Sequence, residues 1–170
     1  GNRWYNGYPT RPPRWLHEWT RAIAYCPSTT GSQGDVIVVL DRVRKDTAPQ
    51  LLGAAGSYQN THAELEGYLS FCNTPAINGT TITTTCAGSQ AVEAKWWLPT
   101  TSALTAAGGP FRVRWLPGTA TNPRIGLYTV KVGTATISQD TGADTITVTR
   151  SGEATVVCHY DDAAGVDIPD

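Results

Sequence analysis

Residues 36–40, "VIVVL", form an unbroken aliphatic run, and this run constrains the fold more than any other stretch of the chain. A strand with one face in water alternates apolar with polar side chains, so a run without alternation calls for apolar cover on both faces. Periodicity alone is equally compatible with a buried helix segment, but the β-branched residues and the flanking Gly34 decide for a strand. The run then gives way abruptly to "DRVRKD", where Asp41 and Asp46 enclose Arg42, Arg44 and Lys45. A central sheet strand whose charged end emerges at a boundary accounts for both halves.

Similar segments recur along the chain. "WTRAIAYC" (residues 19–26) sets the large groups Trp19, Ile23 and Tyr25 between smaller ones, and the loop "PSTTGSQG" follows it. "TTITTTC", "AVEAKWWL", "FRVRWL", "RIGLYTVKVGTATI", "DTITVTR" and "EATVVCHY" are rich in Val, Ile, Thr and aromatics and are separated by Gly, Pro, Asn and Asp. Each is expected to be a strand, with "TRSGEA" as a hairpin turn. "AELEGYLSFC" fits a short helix and a strand equally. About eight strands without strand-helix alternation predict an all-β antiparallel sandwich, of jelly-roll type first and Ig-like type second. Residues 1–17, with Pro12 and Pro13 among aromatics and arginines, are expected to be an extended arm, and residues 18–170 a single β-sandwich domain.

At 170 residues the chain is long enough to bury a core without metal or disulfides. Thirteen Lys and Arg against 14 Asp and Glu give no global pull toward nucleic acid or an anionic surface. No apolar run approaches the roughly 18 residues of a membrane-spanning helix, so no membrane insertion is expected. "GNRWYNGYPT" lacks the apolar centre of a signal peptide. The sequence contains no Met, which points to a processed or partial product. Cys26, Cys72, Cys86 and Cys158 show no C-x-x-C spacing, leaving buried thiols, disulfides in any of three pairings, and a metal role as alternatives.

Catalytic chemistry finds little support. His17, His62 and His159 stand in no hydrolase motif, and there is no nucleophile elbow, zincin helix, phosphate loop or dinucleotide fingerprint. Cys158 and His159 are adjacent and therefore point to opposite faces of a strand. Glu64, Glu66 and Glu93 carry no sign of the pairing a glycosidase requires. The chain is expected to be non-enzymatic. Asp41 and Asp46 are candidate calcium ligands, although the cations between them would repel a metal ion. Asn78-Gly79-Thr80 is a glycosylation sequon.

Aromatic residues crowd the N-terminal end among arginines, and Trp96 and Trp97 must face opposite sides of their strand. Interfaces favour Trp, Tyr and Arg. Trp4, Tyr5, Tyr8, Arg11, Arg14, Trp15, Asp41, Asp46 and Trp96 are accordingly the candidate subunit-interface residues.

The run "WTRAIAYCPSTTGSQGDVIVVLDRVRKDTAP" resembles the shell domain of tombusvirus-like coat proteins from small icosahedral plant RNA viruses. Tyr25, Pro27, Gly34, the aliphatic strand, Asp41, Asp46 and Pro49 carry the resemblance, and "EAKWWLP" and "GEATVVCHYDDAAGVDIP" are similar to later strands. It implies a jelly-roll subunit that assembles with copies of itself in a virion, with calcium bound between subunits at the acidic loop. Val43 stands where the family's middle acid would be. Packaged nucleic acid is implied as a partner through a basic arm outside these residues. The expectation is thus a self-assembling coat protein, in a virion or extracellular, in which Asp41→Asn and Asp46→Asn alter assembly rather than folding. The alternative is a secreted carbohydrate-binding or adhesin-like module with exposed Trp96 or N-terminal aromatics as its platform.

Overall fold

A computed structural model describes residues 16–31, 33–45, 67–98, 103–106, 111–116, 124–161 and 165–167. These residues form thirteen strands: β1 (Leu16–Cys26), β2 (Val36–Lys45), β3 (Gly67–Ser70), β4 (Ala76–Asn78), β5 (Thr81–Thr85), β6 (Ala91–Leu98), β7 (Ala103–Ala106), β8 (Arg112–Leu116), β9 (Arg124–Val132), β10 (Thr136–Asp140), β11 (Thr145–Thr149), β12 (Val156–Asp161) and β13 (Gly165–Asp167). Apart from a 3₁₀ turn at Ala87–Ser89 the described residues contain no helix, and none is long and apolar enough to cross a membrane. Among the described residues every strand pairing is antiparallel. The all-β antiparallel sandwich expected from the sequence is the fold.

Its layers number three. A six-stranded sheet in the order β1-β2-β9-β6-β5-β4 lies between a four-stranded sheet, β10-β11-β12-β13, and a three-stranded sheet, β3-β8-β7. Among the described residues this order does not establish the two interleaved four-stranded sheets of a jelly roll.

The two outer sheets cover opposite faces of the central one, each over a different half. On one face Ala24, Cys26, Val36, Val38, Leu40 and Leu127 pack with Ala135, Ile146, Val148, Cys158 and Tyr160 of the four-stranded sheet and its approach. On the other, Val39, Ile82, Ala94, Trp96 and Tyr128 pack with Val113, and Leu69, Phe71 and Leu104 extend that core. β2 thus sends Val36, Val38 and Leu40 into the first core and Val39 into the second, which explains the missing alternation. Trp96 and Trp97 do face opposite ways and both meet protein: Trp96 stacks on Tyr128 at 5.0 Å, while Trp97 packs on the first core and donates from Nε1 to Thr129 Oγ1 at 3.0 Å.

Three differences from expectation have physical causes. "RIGLYTVKVGTATI" is two strands, β9 and β10, broken at Gly133, whose φ of +87° lies in the left-handed region. The ambiguous "AELEGYLSFC" contributes strand β3, and its period-two residues Leu69 and Phe71 are the ones that pack. β4, β7 and β13, which their composition does not announce, are all edge strands of three or four residues held by pairing to one neighbour. β1 begins at Leu16, just inside the expected arm.

Gly34 allows the loop before β2 to touch the β9–β10 turn. A Cβ there would lie 1.6 Å from the Val132 carbonyl oxygen, and its φ is +80°. Thr134 N–H donates to Gln33 O at 3.1 Å and Val132 N–H to Asp35 O at 3.0 Å, so the backbones are bonded on both sides of the contact. Gly34→Ala should therefore cost more than the roughly 1–3 kcal/mol of left-handed strain alone. Gly31→Ala isolates the strain, because Gly31 has φ +69° with nothing within 4 Å of a Cβ. Urea denaturation should give a lower midpoint for Gly34→Ala than for Gly31→Ala.

Candidate functional site

β1 pairs only with β2 among the described residues, so it is an edge strand of the central sheet. Its small residues Ala22, Ala24 and Cys26 face the first core. The larger Ile23 and Tyr25 therefore point the other way, toward a part of the central sheet that the three-stranded sheet does not cover. Tyr25 pairs with Ile37 across β2 and Ile23 with Val39. Ile23, Tyr25 and Ile37 are 53%, 56% and 37% exposed, which makes a continuous apolar strip along the β1–β2 edge.

A salt bridge marks one end of the strip and a phenol–carboxylate hydrogen bond the other. Arg21 Nε donates to Asp41 Oδ1 at 2.6 Å and Nη2 to Oδ2 at 2.8 Å, a bidentate pair across β1 and β2. The Asp41 side chain is buried, whereas Arg21 is 42% exposed. These hydrogen bonds raise the Arg21 pKa above its ordinary value. Burial, assisted by the Asp41 charge, pushes the neighbouring Tyr128 phenol up to about 12. At the opposite end Tyr25 OH donates to Asp35 Oδ2 at 2.6 Å. That bond holds the Tyr25 phenol up and the Asp35 carboxyl down.

Beyond Asp35 the loop before β2 is latched to the β11–β12 hairpin. Glu153 accepts from Ser28 Oγ at 2.6 Å and Thr30 Oγ1 at 2.7 Å, and from the Thr29 and Thr30 amides. With so many donors its carboxyl is lowered to about 2. Arg150, 3% exposed, donates from Nε to Gly34 O at 3.1 Å and from Nη2 to Cys26 O at 2.6 Å. It thereby joins the end of β1, the start of β2 and the hairpin.

The other uncovered half of the central sheet is polar. Thr83, Thr85, Glu93 and Lys131, with Asn73 beside them, line a groove of about 500 Å³. Glu93 and Lys131 are ion-paired at 3.3 Å. Nearby, Cys72 and Cys86 form a disulfide that closes the β4–β5 hairpin at its base, while Cys26 and Cys158 are buried thiols.

Several expected site residues have definite places. Trp4, Tyr5, Tyr8, Arg11, Arg14, Trp15 and Asp46 lie outside the described residues. Trp96 is 1% exposed, so it is a core residue of this chain and offers no platform for a sugar or a neighbouring subunit. Asp41 is likewise buried, with both carboxylate oxygens engaged by Arg21. It does not fit a calcium ligand, because a metal would have to displace a guanidinium that already neutralises the charge. No group of three or more His, Cys, Asp or Glu among the described residues could hold a metal. Asn78 is exposed at the end of β4, next to the turn into β5. The strip residues Ile23 and Ile37 and the latch residues Arg150 and Glu153 were not picked out from the sequence. The alternation of large and small groups in β1 was visible there, but not which set faces the core.

The chain matches no known family model and no curated protein sequence.

Two outcomes test these assignments. Asp41→Asn should destabilise folding by about 1–3 kcal/mol in urea denaturation, because the buried amide keeps only one acceptor for the Arg21 guanidinium and turns its NH2 donors toward it. This replaces the expectation of an effect on assembly alone. The Glu153 carboxyl is lowered from 4.5 to about 2 in the folded chain, so its contribution is complete above 4.5 and disappears as pH falls toward 2. Thermal midpoints measured across that window should fall more steeply for the wild type than for Glu153→Gln; Asp35, shifted in the same direction, supplies the remaining slope.

Proposed function

We propose that this chain is a non-enzymatic structural subunit that assembles with copies of itself, most simply as a viral coat subunit, with the β1–β2 strip as a contact surface. The observation that carries the proposal is the exposed row Ile23, Tyr25 and Ile37 on and beside β1, which among the described residues is an edge strand. Folded monomers usually blunt such edges with charge, proline or a covering segment, and an apolar strip there favours a partner. The occupant is the N-terminal segment of a neighbouring copy. Residues 1–15 carry Trp4, Tyr5, Tyr8 and Trp15 with Arg3, Arg11 and Arg14, an aromatic and cationic composition that complements an apolar strip near Asp35. The resemblance of residues 19–49 to tombusvirus-like shell domains supports the coat assignment. The Cys72–Cys86 disulfide supports a virion or extracellular location, since such bonds persist in oxidising surroundings.

A secreted glycan-binding or adhesin-like module is the second reading, favoured by the Tyr25 ring on an open sheet face and by the hydroxyl-lined groove on the opposite face. Light scattering with negative-stain microscopy separates the two. The chain should form large closed particles or filaments, and both deletion of residues 1–15 and the double substitution Ile23→Thr with Tyr25→Thr should reduce them to monomers. The substituted side chains are exposed, so the loss of stability should be limited to that of the single Tyr25–Asp35 hydrogen bond, too little to unfold the chain. A persistent wild-type monomer overturns the proposal. Glycan binding by that monomer, lost on Tyr25→Thr, would establish the second reading.

A further inference from the structure

We propose that Cys26 and Cys158 form a second disulfide, joining the central sheet to the four-stranded sheet, when the chain folds in the presence of a disulfide oxidant. Cys26 ends β1 and Cys158 lies in β12, 132 residues apart, and their sulfurs face each other at 3.6 Å. Both belong to the first core, at 3% and 1% exposure. A disulfide needs its sulfurs about 2.05 Å apart, a gap that small rotations of the two side chains can close. The neighbouring Cys72–Cys86 bond makes disulfide chemistry part of this chain independently of the buried pair.

The surroundings distinguish the two thiols. Arg150 donates to the Cys26 carbonyl at 2.6 Å, which brings its positive charge to the Cys26 side of the pair. The two thiols share a hydrogen bond in which either can donate, and with the Arg150 charge on one side the pair lowers Cys26 and raises Cys158. The Arg150 charge reaches the Cys26 side as the strand ends come together, which favours Cys26 as the attacking thiolate. With oxidised glutathione as oxidant, Cys26 attacks one sulfur and releases one glutathione thiolate, leaving a mixed disulfide. That thiolate takes the Cys158 proton, and the Cys158 sulfur attacks Cys26 and expels the second glutathione. Two protein thiols are oxidised to one disulfide, and one glutathione disulfide is reduced to two glutathione thiols. The closed core excludes the tripeptide, so the exchange takes place while the two sheets are docking.

The bond would close a far longer loop than Cys72–Cys86, whose sequence separation is 14, and so would constrain the unfolded chain more. It would also fasten the edge strand that carries the apolar strip, although the inference does not depend on what that strip binds.

The full chain should be refolded in a mixture of reduced and oxidised glutathione, alkylated in denaturant without further reductant, digested and analysed by mass spectrometry. The expected result is a linked Cys26–Cys158 peptide pair, two hydrogens lighter than the sum of its thiol forms, alongside linked Cys72–Cys86. Recovery of Cys26 and Cys158 as alkylated thiols while Cys72–Cys86 is linked would overturn the proposal, as would linkage of either to Cys72 or Cys86. A reductant should lower the melting temperature of the oxidised wild type by several degrees more than that of the Cys26→Ala/Cys158→Ala variant. Equal shifts would also count against it. If the double variant does not fold, peptide mapping of the wild type decides alone.

Discussion

The structure depends on a strand that serves two cores at once. β2 sends Val36, Val38 and Leu40 to one core and Val39 to the other, so both outer sheets are built against the same segment. A strand placed this way cannot use alternation to specify its register, because slipping by one residue would still present aliphatic groups on both sides. Register must come from elsewhere, and the ends of β2 supply it. Gly34 fits only where the Val132 carbonyl passes, and Asp41 is satisfied only opposite Arg21. The greasy run and its charged terminus are two parts of one solution.

The same logic explains the buried ions around the loop before β2. Arg150 reaches two carbonyls, Gly34 O and Cys26 O, that lie at the end of β1 and just before β2. An unpaired buried carbonyl is costly, and a guanidinium with several fixed donors can serve two at once. Glu153 lies 3.8 Å from that guanidinium and accepts from Ser28, Thr29 and Thr30 in turn. The hairpin thus binds the loop through groups that the loop itself cannot satisfy. This connects the four-stranded sheet to the central sheet at a point where the apolar core ends.

Much of this was legible in the sequence. The β-branched runs marked β1, β2, β5, β6, β8, β11 and β12, and the unbroken run marked two-sided burial. The adjacent tryptophans were placed on opposite sides of their strand, as they are. The short edge strands β4, β7 and β13 were not legible, since strands of three or four residues are set by a neighbour's hydrogen bonds rather than by their own composition. Long-range polar pairing was hidden as well. Nothing local to "TRSGEA" says that its arginine and glutamate will meet a loop more than a hundred residues earlier, and nothing local to "LDRVRKD" says that Asp41 belongs to Arg21 rather than to a metal. Trp96 shows the same limit: its residue type favoured an interface, and only the stacking partner Tyr128 places it inside.

The central sheet also contains its own control for interpreting the apolar strip. Each face leaves one half uncovered, and the two halves differ in chemistry. Over β5 and β6 the open half displays threonines, Glu93 and Lys131, which is how a sheet face meant for water is composed. Over β1 and β2 it displays Ile23, Tyr25 and Ile37. Folding does not require this, because the β1 residues that face the core are the small Ala22, Ala24 and Cys26. Replacing the outward pair by threonine would keep the β propensity and the core intact; single-chain stability asks for the Tyr25 hydroxyl on Asp35 but gives no reason for an isoleucine at position 23 or for the exposed face of the Tyr25 ring. A surface that the fold does not need, on the one exposed half that departs from the polar pattern, is accounted for by something that covers it.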